Sequence, residues 1–339
     1  MKHILLTGGA GFIGANFLHS SLAANEDLHF INLDKFTYAA NIDNLRGLDA
    51  RRHTLVRGDI CDSLLVKEIF EKFKIEGVIN FAAESHVDNS IKSPKEFIRT
   101  NIEGAFNLLD IARQTWLEAP YIYKEEYRGA RFMQISTDEV YGSLSLEDKE
   151  RFNENSPHRP SSPYSASKSA AEFLAKAYYK TYGLEVVASN SSNNFGRFQH
   201  DEKLIPVIIR SALNGQKIGI YGDGSNVRDW LYVDDNCRAL YLIFNKGKSG
   251  ESYNISSSAE ISNLALAQKI CVLLDEICPC ERKYGDLISF VADRPGHDKR
   301  YSLDSAKLES ELGWRAQTSF DEALKDTVLF YVSKYKQSV

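Results

Sequence analysis

The chain has 339 residues, 43% apolar and 26% charged, and its 41 Lys+Arg against 46 Asp+Glu leave a formal charge of −5. That composition excludes a disordered chain or a fibrous repeat, and a mildly acidic balance without a basic block gives no electrostatic reason to expect nucleic acid or a membrane surface as partner. At roughly 150 residues per domain the length suits two domains, or one large α/β unit with an appended part. Five cysteines, Cys61, Cys237, Cys271, Cys278 and Cys280, form no Cys-X-X-Cys pair. They predict reduced thiols in a cytoplasmic protein rather than a disulfide or metal framework. No apolar run approaches the roughly 18 residues of a membrane span, and the amino terminus reads as a strand instead of a signal peptide.

Short apolar, β-rich runs at 4–7, 30–33, 54–56, 77–81, 132–136 and 185–188 alternate with helical patterns. Such alternation predicts βαβ units around a parallel sheet, and runs without polar alternation, such as 78–81, suit strands covered on both faces. Asp62 can cap a helix over 63–73, and Ser93-Pro94 opens another expected to run to about residue 118. After about residue 195 the rhythm changes to short strands (218–221, 231–233, 253–255) among helices near 204–213, 236–244, 264–274 and 320–331. The expected fold is therefore a Rossmann-type doubly wound parallel sheet with a smaller α/β substrate-binding lobe. Residues 1–195 form its dinucleotide-binding domain and 196–339 mainly the lobe, from which some strands and helices can return to the first domain.

Thr7-Gly8-Gly9-Ala10-Gly11-Phe12-Ile13-Gly14 follows the first strand and precedes a helical pattern. Glycines at 8, 9 and 11 let the backbone turn tightly against a pyrophosphate. Gly14 lets helix and strand pack closely, and the helix amino terminus offers unpaired N–H groups to the anion. Asp34 ends the second strand, where its carboxylate can accept both ribose hydroxyls of an adenosine and repel a 2′-phosphate, so NAD is expected over NADP. Lys35 beside it leaves an allowance for NADP. Two more strand ends fit the same crevice, Asp59-Ile60 for the adenine edge and Phe81-Ala82-Ala83, whose small residues let the chain pass under the cofactor.

Tyr164 and Lys168 lie four residues apart, hence on one face of a helix. An adjacent cation and a positive nicotinamide ring both favour the phenolate, which would let Tyr164 take a proton from an alcohol as hydride leaves the same carbon. Ser136-Thr137-Asp138-Glu139 sits at the end of the fifth strand, and the hydroxyl of Thr137 or Ser136 can join the phenol. Alcohol oxidation needs one base. A β-elimination needs a base for the acidified carbon and an acid for the departing hydroxide, and two neighbouring carboxyls can divide those tasks if their surroundings separate them.

With these motifs in hand, the sequence resembles the nucleotide-sugar 4,6-dehydratases of the extended short-chain dehydrogenase/reductase superfamily. The likeness runs from about residue 4 to 331. TGGAGFIG at 7–14, FAAESHVD at 81–88, STDEVYG at 136–142, YSASK at 164–168, SNNFG at 192–196, EKLIP at 202–206, YGDGSNVRDWLYVDD at 221–235 and DRPGHDKRY at 293–301 carry it. The resemblance implies a homodimeric hydro-lyase that recycles NAD within one turnover on a nucleotide-linked hexose. The hexose is expected to be dTDP-glucose, with UDP-N-acetylglucosamine or UDP-glucose, or epimerisation by a sibling enzyme, as alternatives. It implies Tyr164, held by Lys168, as base at the C4 hydroxyl with Thr137 in its network, Glu139 as base at C5 and Asp138 as acid at the C6 hydroxyl. For the cofactor it carries over Phe12, Ile13, Asp34, Lys35, Thr37, Asp59, Ile60, Ala82, Ala83, Ser85, Thr100, Tyr164, Lys168 and Asn194. For the substrate it carries over His86, Asn193, Lys203, Leu204, Arg228, Asn263 and the segment of Asp293, Arg294 and His297, alongside Thr137. Lys203, Arg228 and Arg294 suit a pyrophosphate. The expected dimer pairs helices near 100–118 and 164–182. Asn89, Asn190-Ser191, Arg197 and Gly219 depart from the family pattern, most of them around the sugar and nucleotide and not in the acid, base or cofactor motifs.

Overall fold

Alternating β-rich and helical stretches wind, in the computed structural model, into a seven-stranded parallel sheet clothed on both faces; residues 1–293 and 296–336 are described. In chain order the strands are β1 Lys2–Thr7, β2 Leu28–Asp34, β3 His53–Arg57, β4 Gly77–Asn80, β5 Leu117–Ala119, β6 Ile122–Tyr123, β7 Arg131–Thr137, β8 Val186–Ser191, β9 Asn193–Phe195, β10 Ile218–Tyr221, β11 Val227–Tyr232, β12 Ser252–Ile255, β13 Glu260–Ser262 and β14 Ile288–Val291. The large sheet runs β12-β8-β7-β4-β1-β2-β3 with every neighbour parallel. Chain order reverses between β1 and β4, so the carboxyl ends of β1, β2, β4, β7 and β8 open on one crevice, where ligands of such sheets bind.

Strand periodicity sends successive side chains to opposite faces, and both faces are apolar. Ile4, Leu6, Met133 and Val187 pack with Phe17 and Leu18 of helix Phe12–Ala24 and with Leu240 and Ile243 of helix Val233–Lys246. Leu5, Val78, Phe132 and Val186 pack instead with Val66 and Phe70 of helix Ser63–Phe73, Leu108 and Leu109 of helix Ala105–Trp116, and Ala175 and Tyr178 of helix Pro163–Tyr182. Helix Val233–Lys246 and β12 thus belong to the large-sheet body although they follow residue 195. Most of the remaining chain builds a second core. β9, β11 and β13 form one small sheet, β10 and β14 another, and helices Leu204–Leu213, Asn263–Ile277 and Phe320–Lys336 enclose Phe195, Ile209, Trp230, Leu266, Ile270 and Tyr331.

Two expected helices have their predicted bounds, 63–73, whose Asp62 carboxylate accepts the N–H groups of Leu64 and Leu65 at 3.1 Å, and 204–213. The helix expected over 94–118 does not continue. Pro94–Phe97 gives way to a π-helical turn at Ile98–Gly104, helix resumes at Ala105–Trp116, and Leu117–Ala119 turns into a short hairpin. The wide turn lets Thr100 reach the cleft and Asn101 point inward, a use typical of π-turns at functional sites.

Behind the glycine-rich turn, Asn32 of β2 accepts the Gly9 N–H at 3.0 Å while its amide nitrogen lies 3.3 Å from His53 Nε2 of β3. The amide can donate only to an unprotonated Nε2. Burial, with His29 and His19 nearby, lowers the His53 pKa to about 4. The unfolded chain therefore binds an extra proton between about 6.5 and 4. This contribution to stability is complete above pH 6.5 and is lost as pH falls through the folded value. The thermal midpoint should drop across that window, and His53→Gln should flatten the drop. An unchanged slope in the variant would contradict the assignment.

Candidate active site

Every residue expected to hold a dinucleotide lines one cleft of about 320 Å³ at the strand carboxyl ends, together with Thr137, Asp138, Glu139, Tyr164, Lys168, Asn193 and Lys203. Gly8 has φ +72°, and a Cβ there would stand 2.9 Å from the Ala82 nitrogen; no other residue type fits that approach without strain. Asp34 accepts Ala10 N–H and Phe36 N–H, both at 2.8 Å, one on each oxygen, which leaves a second lone pair on each facing the cleft. The cradle fits a dinucleotide on a second observation. Asn193 Oδ1, Asn194 Oδ1, Ser136 Oγ and Asp138 Oδ2 are buried polar atoms lacking a protein partner, all on cleft-lining residues. Buried polar atoms ordinarily have partners, so this set points to a polar ligand.

The reactive helix Pro163–Tyr182 starts at a reciprocal cap, with the Ser162 hydroxyl accepting the Ser165 N–H at 3.1 Å and the Ser165 hydroxyl accepting the Ser162 N–H at 3.0 Å. One turn on, Tyr164 and Lys168 share its buried face. Lys168 Nζ donates to the Ile135 carbonyl at 2.6 Å, and burial lowers its pKa to about 8 against the pull of Glu172. At the end of β7 the chain enters a 3-10 turn, Asp138–Tyr141. Thr137 donates its hydroxyl to Asp138 Oδ1 at 3.1 Å, accepts the Glu139 N–H at 3.4 Å, and is hydrogen-bonded to the Tyr164 phenol. Phenol, hydroxyl and the Asp138 carboxyl are therefore hydrogen-bonded together, the Glu139 backbone N–H joins at Thr137, and the Glu139 charge acts on both Asp138 and Tyr164.

Electrostatics separates the two acids. Asp138 is 2% exposed, and burial, reinforced by Glu139, raises its pKa well above the usual carboxylate value, which favours its protonated form. Glu139 is half-buried. In the protein alone burial, followed by Glu139, pushes Tyr164 up, opposed by the Thr137 hydrogen bond. Desolvation is the largest influence on the enclosed phenol, against which the positive nicotinamide ring of a bound dinucleotide would act.

Asn101 locks the cleft floor to this helix. Its Oδ1 accepts Glu84 N–H at 2.9 Å, and its Nδ2 donates to Glu84 O at 3.0 Å and Ser167 Oγ at 2.8 Å. On the opposite wall Glu202 gathers His200 Nδ1 at 3.6 Å, His86 Nε2 at 3.7 Å and Lys203 Nζ at 3.9 Å, while Lys203 also donates to the Ser85 carbonyl at 3.2 Å. Glu202, His200, Gln199 and Glu84 line the cleft but were not singled out from sequence. Glu202 was legible inside the EKLIP segment.

Of the other expected substrate residues that are described, Leu204, Arg228, Asn263, Asp293 and His297 do not line the cleft. Leu204 starts its helix, half-buried against the second core. Arg228 is buried on β11, donating to the carbonyls of Val227 at 2.8 Å and Asp298 at 3.0 Å, with its guanidinium 4.4 Å from the Tyr301 ring centre. Its charge reaches Asp138, as that of Glu139 reaches Tyr301, so this cluster adjoins the acid pair. Asn263 sits beside it, its N–H donating to Asn226 O at 3.0 Å and its Oδ1 buried without a partner. His297 Nδ1 lies 2.6 Å from Asp293 Oδ1. Arg294 lies outside the described residues. Among the described residues no group of His, Cys, Asp and Glu is arranged to hold a metal ion.

Residues 5–327 match the family described as GDP-mannose 4,6 dehydratase. A probable dTDP-glucose 4,6-dehydratase of Sinorhizobium fredii is 48% identical over 97% of this chain and 92% of its own length. The solved dTDP-glucose 4,6-dehydratase of Bacillus anthracis in complex with NAD superposes with a TM-score of 0.86 at 38% identity, covering 99% of this chain and 98% of that one. That of Streptomyces venezuelae, with NAD and TYD bound, gives 0.88 at 40% identity over 99% and 98%.

Proposed function

The chain belongs to the GDP-mannose 4,6-dehydratase family, and on that premise we propose that it is an NAD-dependent hydro-lyase converting dTDP-glucose to dTDP-4-keto-6-deoxyglucose. The observation that carries the reading is the gathering of Tyr164, Thr137, Asp138 and Glu139 in one cleft, with Asp138 buried between the Thr137 hydroxyl and Glu139. An epimerase needs a phenol and a dinucleotide but no acid poised to donate to a departing hydroxide, so a buried Asp138 whose surroundings favour the protonated form supports dehydration.

NAD, when bound, would supply the acceptor for the hydride lost from C4 and the donor of that hydride to C6, and its positive ring would favour the phenolate of the enclosed Tyr164. Gly8, Gly11, Asp34 and Asn194 would hold it, with Ala82 and Ala83 beneath. Tyr164 takes the C4 hydroxyl proton, and Lys168 and Thr137 orient it. The resulting 4-ketone acidifies C5–H. Glu139 removes that proton, and Asp138 gives its own to the C6 hydroxyl so that water leaves; when hydride returns to C6, Glu139 gives C5 a proton that has exchanged with solvent, which restores the saturated ring. The second lobe, with Asn193, Lys203, Arg228 and Asn263, would hold the nucleotide. Incubation with dTDP-glucose, UDP-glucose and UDP-N-acetylglucosamine in turn should give a product lighter by one water with the dTDP sugar. Turnover of a UDP sugar alone would reassign the base, and C4 inversion without water loss would overturn the reading.

We further infer a homodimer built through helices Ala105–Trp116 and Pro163–Tyr182. These pack side by side and carry outward-facing Phe106 and Phe173, 48% and 53% exposed, a pairing of apolar surface that suits a self-complementary contact. Phe106→Lys with Phe173→Lys should halve the sedimentation mass, and an unchanged mass would contradict the contact. All five cysteines are free thiols, in keeping with a reducing cytoplasm. Among the described residues no helix is long and apolar enough to cross a membrane.

A further inference from the structure

At the adenosine end of the cleft, beyond the glycine turn, three charged side chains are engaged with one another. Lys35 Nζ lies 2.9 Å from Asp59 Oδ2, and Arg99 Nη2, carried by the π turn, lies 3.3 Å from the same oxygen. The second oxygen of Asp59 accepts the Cys61 N–H at 2.9 Å. Gly58 N–H donates to Asp34 O at 3.0 Å, which binds the two strand ends together and sets this trio beside the ribose acid. Lys35 and Arg99 are 43% and 48% exposed; Asp59 forms an ion pair with each, and the charge of Glu84 also acts with Lys35. The next cation, Arg57, is turned over the Phe36 ring, 5.7 Å from its centre.

We propose that Asp59 decides which dinucleotide the cleft accepts, by holding Lys35 and Arg99 so that neither is available to a 2′-phosphate. This rests on the NAD reading above and deepens it. A 2′-phosphorylated dinucleotide brings up to two further negative charges beside Asp34. An acid at that position repels them, but a lysine and an arginine within reach form the donor set that binds phosphate well. The sequence places Lys35 beside Asp34, the fold brings Arg99 to the same end, and both are paired with one carboxylate. Selectivity is therefore divided: Asp34 repels, and Asp59 withholds the compensating charge. Asp59 acts here as a specificity-determining residue, through Lys35 and Arg99, and not as a catalytic one.

The test compares dissociation constants of NAD and NADP by calorimetry, with the nucleotide content of the purified protein measured after acid extraction. Using the NADP-to-NAD affinity ratio cancels any general loss of adenine binding. Asp59→Asn should raise that ratio about tenfold. Asp59→Ser, which keeps an acceptor for the Cys61 N–H, should move it the same way and guards against a folding defect in the first variant. Adding Lys35→Ala to Asp59→Asn should remove most of the gain, whereas Lys35→Ala in the native background should change the ratio less than about threefold, because its charge is already spent. A ratio that stays within about twofold in both Asp59 variants, or a gain that survives loss of Lys35, overturns the inference while leaving the NAD assignment standing. Native protein that binds neither dinucleotide overturns the cofactor reading and this inference together.

Discussion

Replacing Glu139 with glutamine is expected to lower turnover of the nucleotide hexose by about 10²–10⁴-fold, the usual contribution of a positioned base. The physical reason is a division of labour between neighbours in the sequence. Asp138 is enclosed, with one oxygen holding the Thr137 hydroxyl and the other lacking a protein partner, and burial and the Glu139 charge raise its pKa. That environment favours its acid form and suits it to give a proton. Glu139, half-buried next to it, is the carboxylate left to remove C5–H. Its charge acts on Asp138, Tyr164 and Tyr301 alike. Glutamine keeps the shape and removes the basicity, and also removes a charge that holds the phenol pKa up, so proton removal at C4 is not impaired. Rapid-quench analysis should find dehydration lost and C5–H no longer exchanged with solvent. Asp138→Asn should stop water loss while C5 exchange persists. The two losses should not multiply in the double variant, because the groups act on one elimination.

Tyr164→Phe is expected to cost a similar factor through a different step. The phenol is 8% exposed and its hydroxyl is hydrogen-bonded to Thr137, so phenylalanine fills the same space and the helix, capped by Ser162, is undisturbed. What is lost is the base at the C4 hydroxyl. A 4-keto nucleotide hexose supplied ready-made bypasses that need. Tyr164→Phe should still exchange its C5 hydrogen with solvent, and Glu139→Gln should not. If both variants exchanged it equally, the assignment of separate bases to C4 and C5 would be wrong.

Much of this arrangement is legible before any coordinates. Local signals sufficed where they act alone: Asp62 caps its helix as its position implies, and Gly8 adopts the left-handed backbone that a tight approach to Ala82 demands. The YxxxK spacing puts Tyr164 and Lys168 on one buried face. Reading failed where packing overrides local preference. The stretch from Pro94 has unbroken helical character, yet its chain widens into a π turn that brings Thr100 to the cleft and Asn101 to Glu84 and Ser167, contacts set by residues far away in sequence. The phenol shows a related limit of local sequence. Spacing reports that a lysine is near but not that both groups are desolvated, and desolvation is the largest influence on each in the protein alone. Likewise, the clustering of His86, His200 and Lys203 about Glu202 joins segments more than a hundred residues apart, which no periodicity reveals.

The central claim is that one bound hexose is oxidised, dehydrated and reduced in place by Tyr164, Glu139 and Asp138 in a single cleft. Turnover of dTDP-glucose in D₂O, with the substrate labelled at C4 and the product read by NMR and mass spectrometry, tests it most directly. The account predicts one solvent deuterium at C5 and the original C4 hydrogen at C6 of the same molecule. Retention of the C5 hydrogen, or a C6 hydrogen drawn from solvent or from a second substrate molecule, would contradict it.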